Sequence, residues 1–199
     1  MKVVEISDKE LIKKFRNNDE SAFEELVLRY QKKVYNTVLR MLSNLDDASD
    51  ITQEIFIKVY QNLEKFKGQS SFSTWLFSIA GNHCRDELRK RQKELKHSSL
   101  DSIAEERKET ERVSDNNSNY QPEERSIQNE QFRDIEIALS KLSIEYRESL
   151  VLRDIQGFTY DEISKILGLP AGTVKSRLSR ARRKLRDELS KISRRRKEI

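Results

Sequence analysis

Apolar residues recur at helical spacing over two stretches of the chain. In the first, Leu11, Ile12 and Phe15 follow Ser7-x-x-Glu10, a capping box. Ala22, Phe23, Leu26, Val27 and Tyr30 continue the pattern, and Val34, Val38, Met41 and Leu42 extend it. Asn44 to Asp47 marks a break. Ile51, Ile55, Val59 and Leu63 then step four residues at a time, with Phe56 and Tyr60 widening the stripe. After a polar loop from Lys67 to Ser71, a fourth helix is expected through Phe72, Trp75, Leu76, Ile79, Ala80 and Leu88 into the basic run Arg89-Lys90-Arg91.

Between Glu94 and Gln131 the pattern fails: only 7 of 38 residues are apolar, and Ser114-Asp115-Asn116-Asn117-Ser118-Asn119 precedes Pro122. So little apolar surface does not offset the entropy of ordering the backbone, and a flexible linker is expected there. The second stretch begins with Phe132, Ile135, Ile137, Ala138, Leu139 and Leu142. Tyr146, Leu150, Val151 and Leu152 predict a helix ending near Gly157. Thr159-x-x-Glu162 is a second capping box, opening a helix through Ile163, Ile166 and Leu167. Gly168 permits a turn and Pro170 suits a helix start. A last helix carries Val174, Leu178, Ala181, Leu185 and Leu189. The expected fold is all-α: two small helical domains, residues 7–93 and 132–190, a flexible linker at 94–131, and a basic tail at 191–199.

Composition narrows this without changing it. With 5 Gly and 2 Pro in 199 residues, the many turns of a β-sandwich or barrel are not available. No apolar run approaches the roughly 20 residues that span a bilayer, and the first nine residues lack a signal-peptide core, so a cytoplasmic protein without membrane insertion is expected. Cys84 is the only cysteine, which excludes an internal disulfide and a cysteine-rich zinc site. Net charge is +5, but residues 171–199 alone carry 12 Lys/Arg against 3 Asp/Glu. A basic end on a slightly acidic body suits a polyanion; it also suits a solvated tail.

Three constellations carry candidate chemistry. Residues 159–183 read as a helix-turn-helix. Lys175, Ser176, Ser179, Arg180 and Arg183 fall opposite the apolar stripe of the second helix and present donors suited to base edges. Asp50, Gln53 and Glu54, at i, i+3 and i+4, share one helical face. That acid-amide-acid patch suits a basic protein surface or simply solvent; no accompanying ligand set makes it a metal or catalytic site. From Gly68 to Arg91, Phe72 and Trp75 lie beside basic residues, the combination that holds unstacked nucleotides, although Trp75 fits a buried stripe better. His83-Cys84 has no second ligand pair. No nucleophile elbow or phosphate-cradling loop is present; no enzymatic site, cofactor or metal is expected.

The strings Asp50-Ile51-Thr52-Gln53-Glu54-Ile55-Phe56, Phe72-Ser73-Thr74-Trp75-Leu76, Ile79-Ala80-Gly81-Asn82, Thr159-Tyr160-Asp161-Glu162-Ile163 and Gly172 to Arg182, in that order, resemble the bacterial RNA polymerase sigma factors of the short extracytoplasmic-function group, group IV. The resemblance implies that Asp50, Gln53 and Glu54 dock on core RNA polymerase. It implies that Lys67, Ser70, Phe72 and Asn82 take part in recognising and melting the −10 promoter element. It also implies that Lys175, Ser176, Ser179 and Arg180 read the −35 duplex while Arg177, Arg182 and Arg183 hold phosphates, and that an anti-sigma partner controls the chain. Two other readings of the same residues are a stand-alone DNA-binding regulator with a helical dimerisation domain, and a helical adaptor for acidic partners.

Overall fold

A computed structural model describes residues 6–101 and 133–197, which contain helices and no strand. Four helices build the first domain: α1 (Asp8–Arg16), α2 (Ser21–Leu42), α3 (Leu45–Leu63) and α4 (Phe72–Asp101). Helix α5 spans 133–140. It is followed by α6 (Ile144–Leu150), which widens into a π-turn over Val151–Ile155, then α7 (Tyr160–Leu167) and α8 (Ala171–Lys197).

Local chemistry sets the ends. Both expected capping boxes form: Ser7 and Thr159 each accept from the backbone N–H of a glutamate three residues on, and each glutamate returns the bond. Helix α2 stops at Ser43 in the left-handed region, φ 55°, a much shorter break than the sequence suggests. Gly168, φ 65°, closes α7. In the first domain the buried stripe is Leu26, Val34, Val38 and Met41 on α2 against Ile51, Ile55, Val59 and Leu63 on α3, with Leu76, Phe77 and Ala80 on α4. Tyr60 departs from the expected stripe: it is exposed, its ring resting edge-on against Phe15 and Phe23 at 5.3 and 5.1 Å. On α5 the inward face runs through Ala138 and Leu139 to Leu142 below it, leaving Ile135 and Ile137 exposed rather than buried.

Two boundaries differ from expectation. Helix α4 continues to Asp101, past the expected linker start; the remainder of the expected linker lies outside the described residues. Helix α8 continues to Lys197 through most of the expected tail, and Arg196 pairs with Asp134 of α5 at 2.7 Å.

The domains pack directly on each other and share one core. Helix α4 lies against α7, and α2 against α6 and the π-turn. The Phe77 and Phe158 rings meet edge-to-face at 4.9 Å. Arg147 on α6 is buried and bridges the domains. Its guanidinium donates to Met41 O at the end of α2 (2.5 Å) and to Leu139 O (2.9 Å), Ser140 O (2.7 Å) and Leu142 O (3.3 Å). Gln156 Nε2 adds a bond to Lys33 O at 3.2 Å.

Candidate nucleic-acid interface

The helix-turn-helix is assembled by its inner face. Val174, Leu178 and Ala181 of α8 are buried against Ile163 and Ile166 of α7. The turn is tied by Leu169 N–H to Ser164 O (3.0 Å), with the Ser164 hydroxyl donating to Leu169 O. Burying that stripe turns Lys175, Ser176, Ser179, Arg180 and Arg183 outward, and all five are exposed. A cleft of about 440 Å³ opens at the start of α8, lined by Arg153, Tyr160, Gly172 and Lys175 among others. Arg153 stacks over the Tyr160 ring at 4.9 Å and donates to Phe158 O at 2.7 Å. This arginine, on the π-turn, adds a cation beside α8 that helical spacing alone does not indicate.

The three arginines expected to hold phosphates separate. Arg183 is exposed. Arg182 forks onto Asp154, with Nη2 2.6 Å from Oδ1 and Nε 3.1 Å from Oδ2. Arg177 is half-buried, and its charge acts on Glu145 and Glu148 of α6 as a lesser influence: burial still raises the Glu148 carboxyl, while hydrogen bonding chiefly lowers that of Glu145. In this conformation Arg182 is paired with a carboxylate of its own domain.

The acidic patch stands as spacing predicts. Ile51, Ile55 and Val59 bury the inner face of α3, so Asp50, Gln53 and Glu54 lie exposed on the outer one. Ile57 joins them at 56 % exposure, four residues after Gln53 and three after Glu54. An apolar side chain framed by acids is a protein-docking feature; the spacing was readable, but Ile57 passes for a core residue in a sequence so rich in buried isoleucine.

The loop before α4 is held from both sides. Arg16 donates to the Glu64 and Phe66 carbonyls. The Ser71 hydroxyl caps α4 by accepting from Thr74 N–H at 3.1 Å. Gly68, φ 68°, makes the left-handed turn between them. Lys67 is exposed and Ser70 half-buried. Phe72, expected at a base, is instead 3 % exposed, its ring edge-on to Tyr30 at 5.4 Å and 6.0 Å from Trp75. It anchors the loop from beneath. Trp75 is only half-buried, its ring tilted at 38° to that of Phe66 with centroids 4.9 Å apart. It walls a cleft of about 460 Å³ with Lys58, Asn62, Lys65 and Ile79. An aromatic wall with two lysines at its rim suits an unstacked base and its phosphate. Asn82 is exposed on α4, about 15 Å along the helix axis from Phe72, and its Oδ1 accepts from Arg85.

The fold and its surfaces define a class: a two-domain helical protein with a helix-turn-helix whose second helix exposes a basic face in one domain and, in the other, an exposed acidic helix face and an aromatic, lysine-lined cleft. Comparison with known proteins gives the family. Residues 26–94 match Sigma-70 region 2, and residues 132–185 match Sigma-70, region 4. The chain is 34 % identical over 191 residues to the ECF RNA polymerase sigma-E factor of Escherichia coli K12, covering 96 % of this chain and 98 % of that one. It is 33 % identical over 175 residues to the RNA polymerase sigma-H factor of Pseudomonas aeruginosa PAO1, covering 88 % and 90 %. Its fold resembles the sigma factor RpoE bound to the anti-sigma factor NepR from Bartonella quintana (TM-score 0.68, 27 % identity, 84 % of this chain and 96 % of that one). It also resembles CnrH bound to the cytosolic domain of CnrY (TM-score 0.67, 25 % identity, 92 % and 97 %). The chain belongs to the extracytoplasmic-function RNA polymerase sigma factors. It is a transcription initiation factor rather than an enzyme: it binds core RNA polymerase and directs it to promoters.

Proposed function

We propose that α3 docks on core polymerase through Asp50, Gln53, Glu54 and Ile57, and that α8 reads the −35 duplex through Lys175, Ser176, Ser179 and Arg180 with Arg183 and Arg153 on phosphates. The melted −10 strand is held by Lys67, Ser70 and Asn82 together with the cleft of Lys58, Lys65 and Trp75, while Phe72 supports the loop from the core. Arg182 reaches a phosphate only by exchanging its carboxylate partner Asp154. The chain acts in the cytoplasm as a group IV member, and an anti-sigma protein restrains it; the structurally similar RpoE is found in complex with the anti-sigma factor NepR. Among the described residues no helix is long and apolar enough to cross a membrane. The observation that carries the reading is that burial of one stripe on α3 and one on α8 leaves the acidic set and the basic set each exposed on a continuous face.

Occupying both promoter elements requires the domains to part. Elements named −35 and −10 lie about 25 base pairs apart, roughly 85 Å along B-form DNA. A compact chain of this length has a radius of gyration of about 16 Å. The packed arrangement is therefore a state of the unbound protein, and tethering keeps the second domain at high effective concentration once the first has bound.

The test is affinity for purified core polymerase, wild type against Gln53→Ala/Glu54→Ala. Tight binding lost in the variant supports the reading. No binding by folded wild type, with specific duplex binding retained, would replace it with a stand-alone regulator.

A further inference from the structure

Glu54 and Lys58 stand one turn apart on α3, the order in which an acid and a base pair directly on a helix. They do not pair here. The imidazole of His83, reaching across from α4, lies between them, with Nε2 2.9 Å from Glu54 Oε2 and Nδ1 2.5 Å from Lys58 Nζ. The His83 side chain is 12 % exposed, while Glu54 remains 59 % exposed. Chemistry assigns the tautomer. An ammonium only donates, so Nδ1 accepts; a carboxylate only accepts, so Nε2 carries the hydrogen. Neutral imidazole with its proton on Nε2 is the one form that satisfies both neighbours.

The two neighbours belong to different surfaces. Glu54 is part of the face proposed for polymerase, and Lys58 lines the cleft proposed for the unpaired strand. The geometry points to His83 as a positioning residue: a neutral spacer that keeps Glu54 and Lys58 from collapsing into a direct ion pair, so that each stays available to its own partner. This rests on the two surface assignments above and goes beyond them, because it gives one half-buried side chain control over both. Without the ring, the pair closes on itself; Glu54 is withdrawn from the docking face and Lys58 from the cleft.

His83→Ala should weaken affinity for purified core polymerase and for a labelled single-stranded oligodeoxynucleotide by roughly two- to fivefold each, the range an exposed ion pair supports. Adding Lys58→Met to His83→Ala should restore polymerase affinity, since Glu54 then has nothing to collapse onto. Adding Glu54→Gln should likewise restore oligonucleotide affinity. A packing role for His83 gives neither rescue, and losses that persist in the double variants overturn the proposal. So does a proton on Nδ1 in the imidazole nitrogen spectrum of the full chain, whatever polymerase does. Failure of the docking assignment shows separately, as a Glu54→Gln single variant that binds polymerase like wild type; the oligonucleotide rescue and the tautomer then decide the spacer role.

Discussion

Glu148 Oε1 occupies the place where a side chain on Gly81 would begin, 2.5 Å from the position of its Cβ. Glu148 lies on α6, is 3 % exposed, and pairs with Arg85, one turn beyond Gly81 on α4. The glycine is a socket for the other domain's carboxylate. In the middle of a helix, glycine costs about 1 kcal/mol relative to alanine, so the first domain gives up local stability for a close approach of the second.

Gly81→Ala therefore moves two quantities in opposite directions. The Cβ displaces a buried, paired carboxylate, and the domain interface should weaken by about 1–3 kcal/mol. The helix itself gains up to about 1 kcal/mol. The expected result is a larger radius of gyration by small-angle scattering, with backbone hydrogen exchange in α4 no faster than in wild type. An unchanged radius would show that Glu148 swings aside at no cost.

Closure should also depend on pH through Glu148. Burial raises its carboxyl above the ordinary 4.5, and Arg85 and Arg177 oppose that shift while Glu145 adds to it. A raised acid binds more protons closed than open. Its contribution is complete below the ordinary value and is lost as pH rises through the raised one. The interface should therefore loosen with increasing pH in the window just above 4.5. Glu148→Gln should flatten that dependence, leaving the part due to Glu136, whose carboxyl burial also raises. Scattering across the window on both proteins measures it.

Arg147 gives a sharper stability test. Its guanidinium satisfies four carbonyls from both domains, and burial draws its own pKa down. Arg147→Met keeps the volume but orphans those carbonyls, each costing on the order of 1 kcal/mol or more. A loss of about 3–4 kcal/mol in unfolding free energy is expected. Arg147→Lys should recover only part of it, because three donors on one nitrogen do not reproduce a planar fork. Denaturant unfolding of the three proteins decides.

What the sequence revealed was local. Ser7 with Glu10 and Thr159 with Glu162 are capping boxes because both partners lie within one turn, and the four-residue steps from Ile51 to Leu63 fix which side of α3 is buried. The acidic face and the recognition face followed from those stripes by elimination. The docking of the domains was not legible. Arg85 meets Glu148 across 63 residues and Arg147 meets Met41 across 106, and no periodicity records such a pairing. Spacing set Arg183, and not Arg182, on the face opposite the apolar stripe, but it does not show that Arg182 forks onto Asp154, 28 residues away. Nor does spacing give the depth of the aromatics: Phe72, which borders the loop in sequence, is 3 % exposed, while Trp75 packs against the core as its register suggests and still lines the cleft.

The arginines of α8 should separate by salt dependence. Arg180 is exposed on the recognition face, so Arg180→Ala should cost about 1–3 kcal/mol of duplex affinity, relax preference at one base position, and leave core polymerase binding intact. Arg183→Ala should weaken all sequences alike and reduce the slope of log affinity against log salt by about 1. Arg182→Ala should barely change that slope, because its charge is already matched by Asp154. Its loss should appear instead as about 0.5–1 kcal/mol of domain stability, the range for a forked pair at the surface. A slope change for Arg182→Ala equal to that of Arg183→Ala would mean that DNA draws the guanidinium off Asp154 on binding.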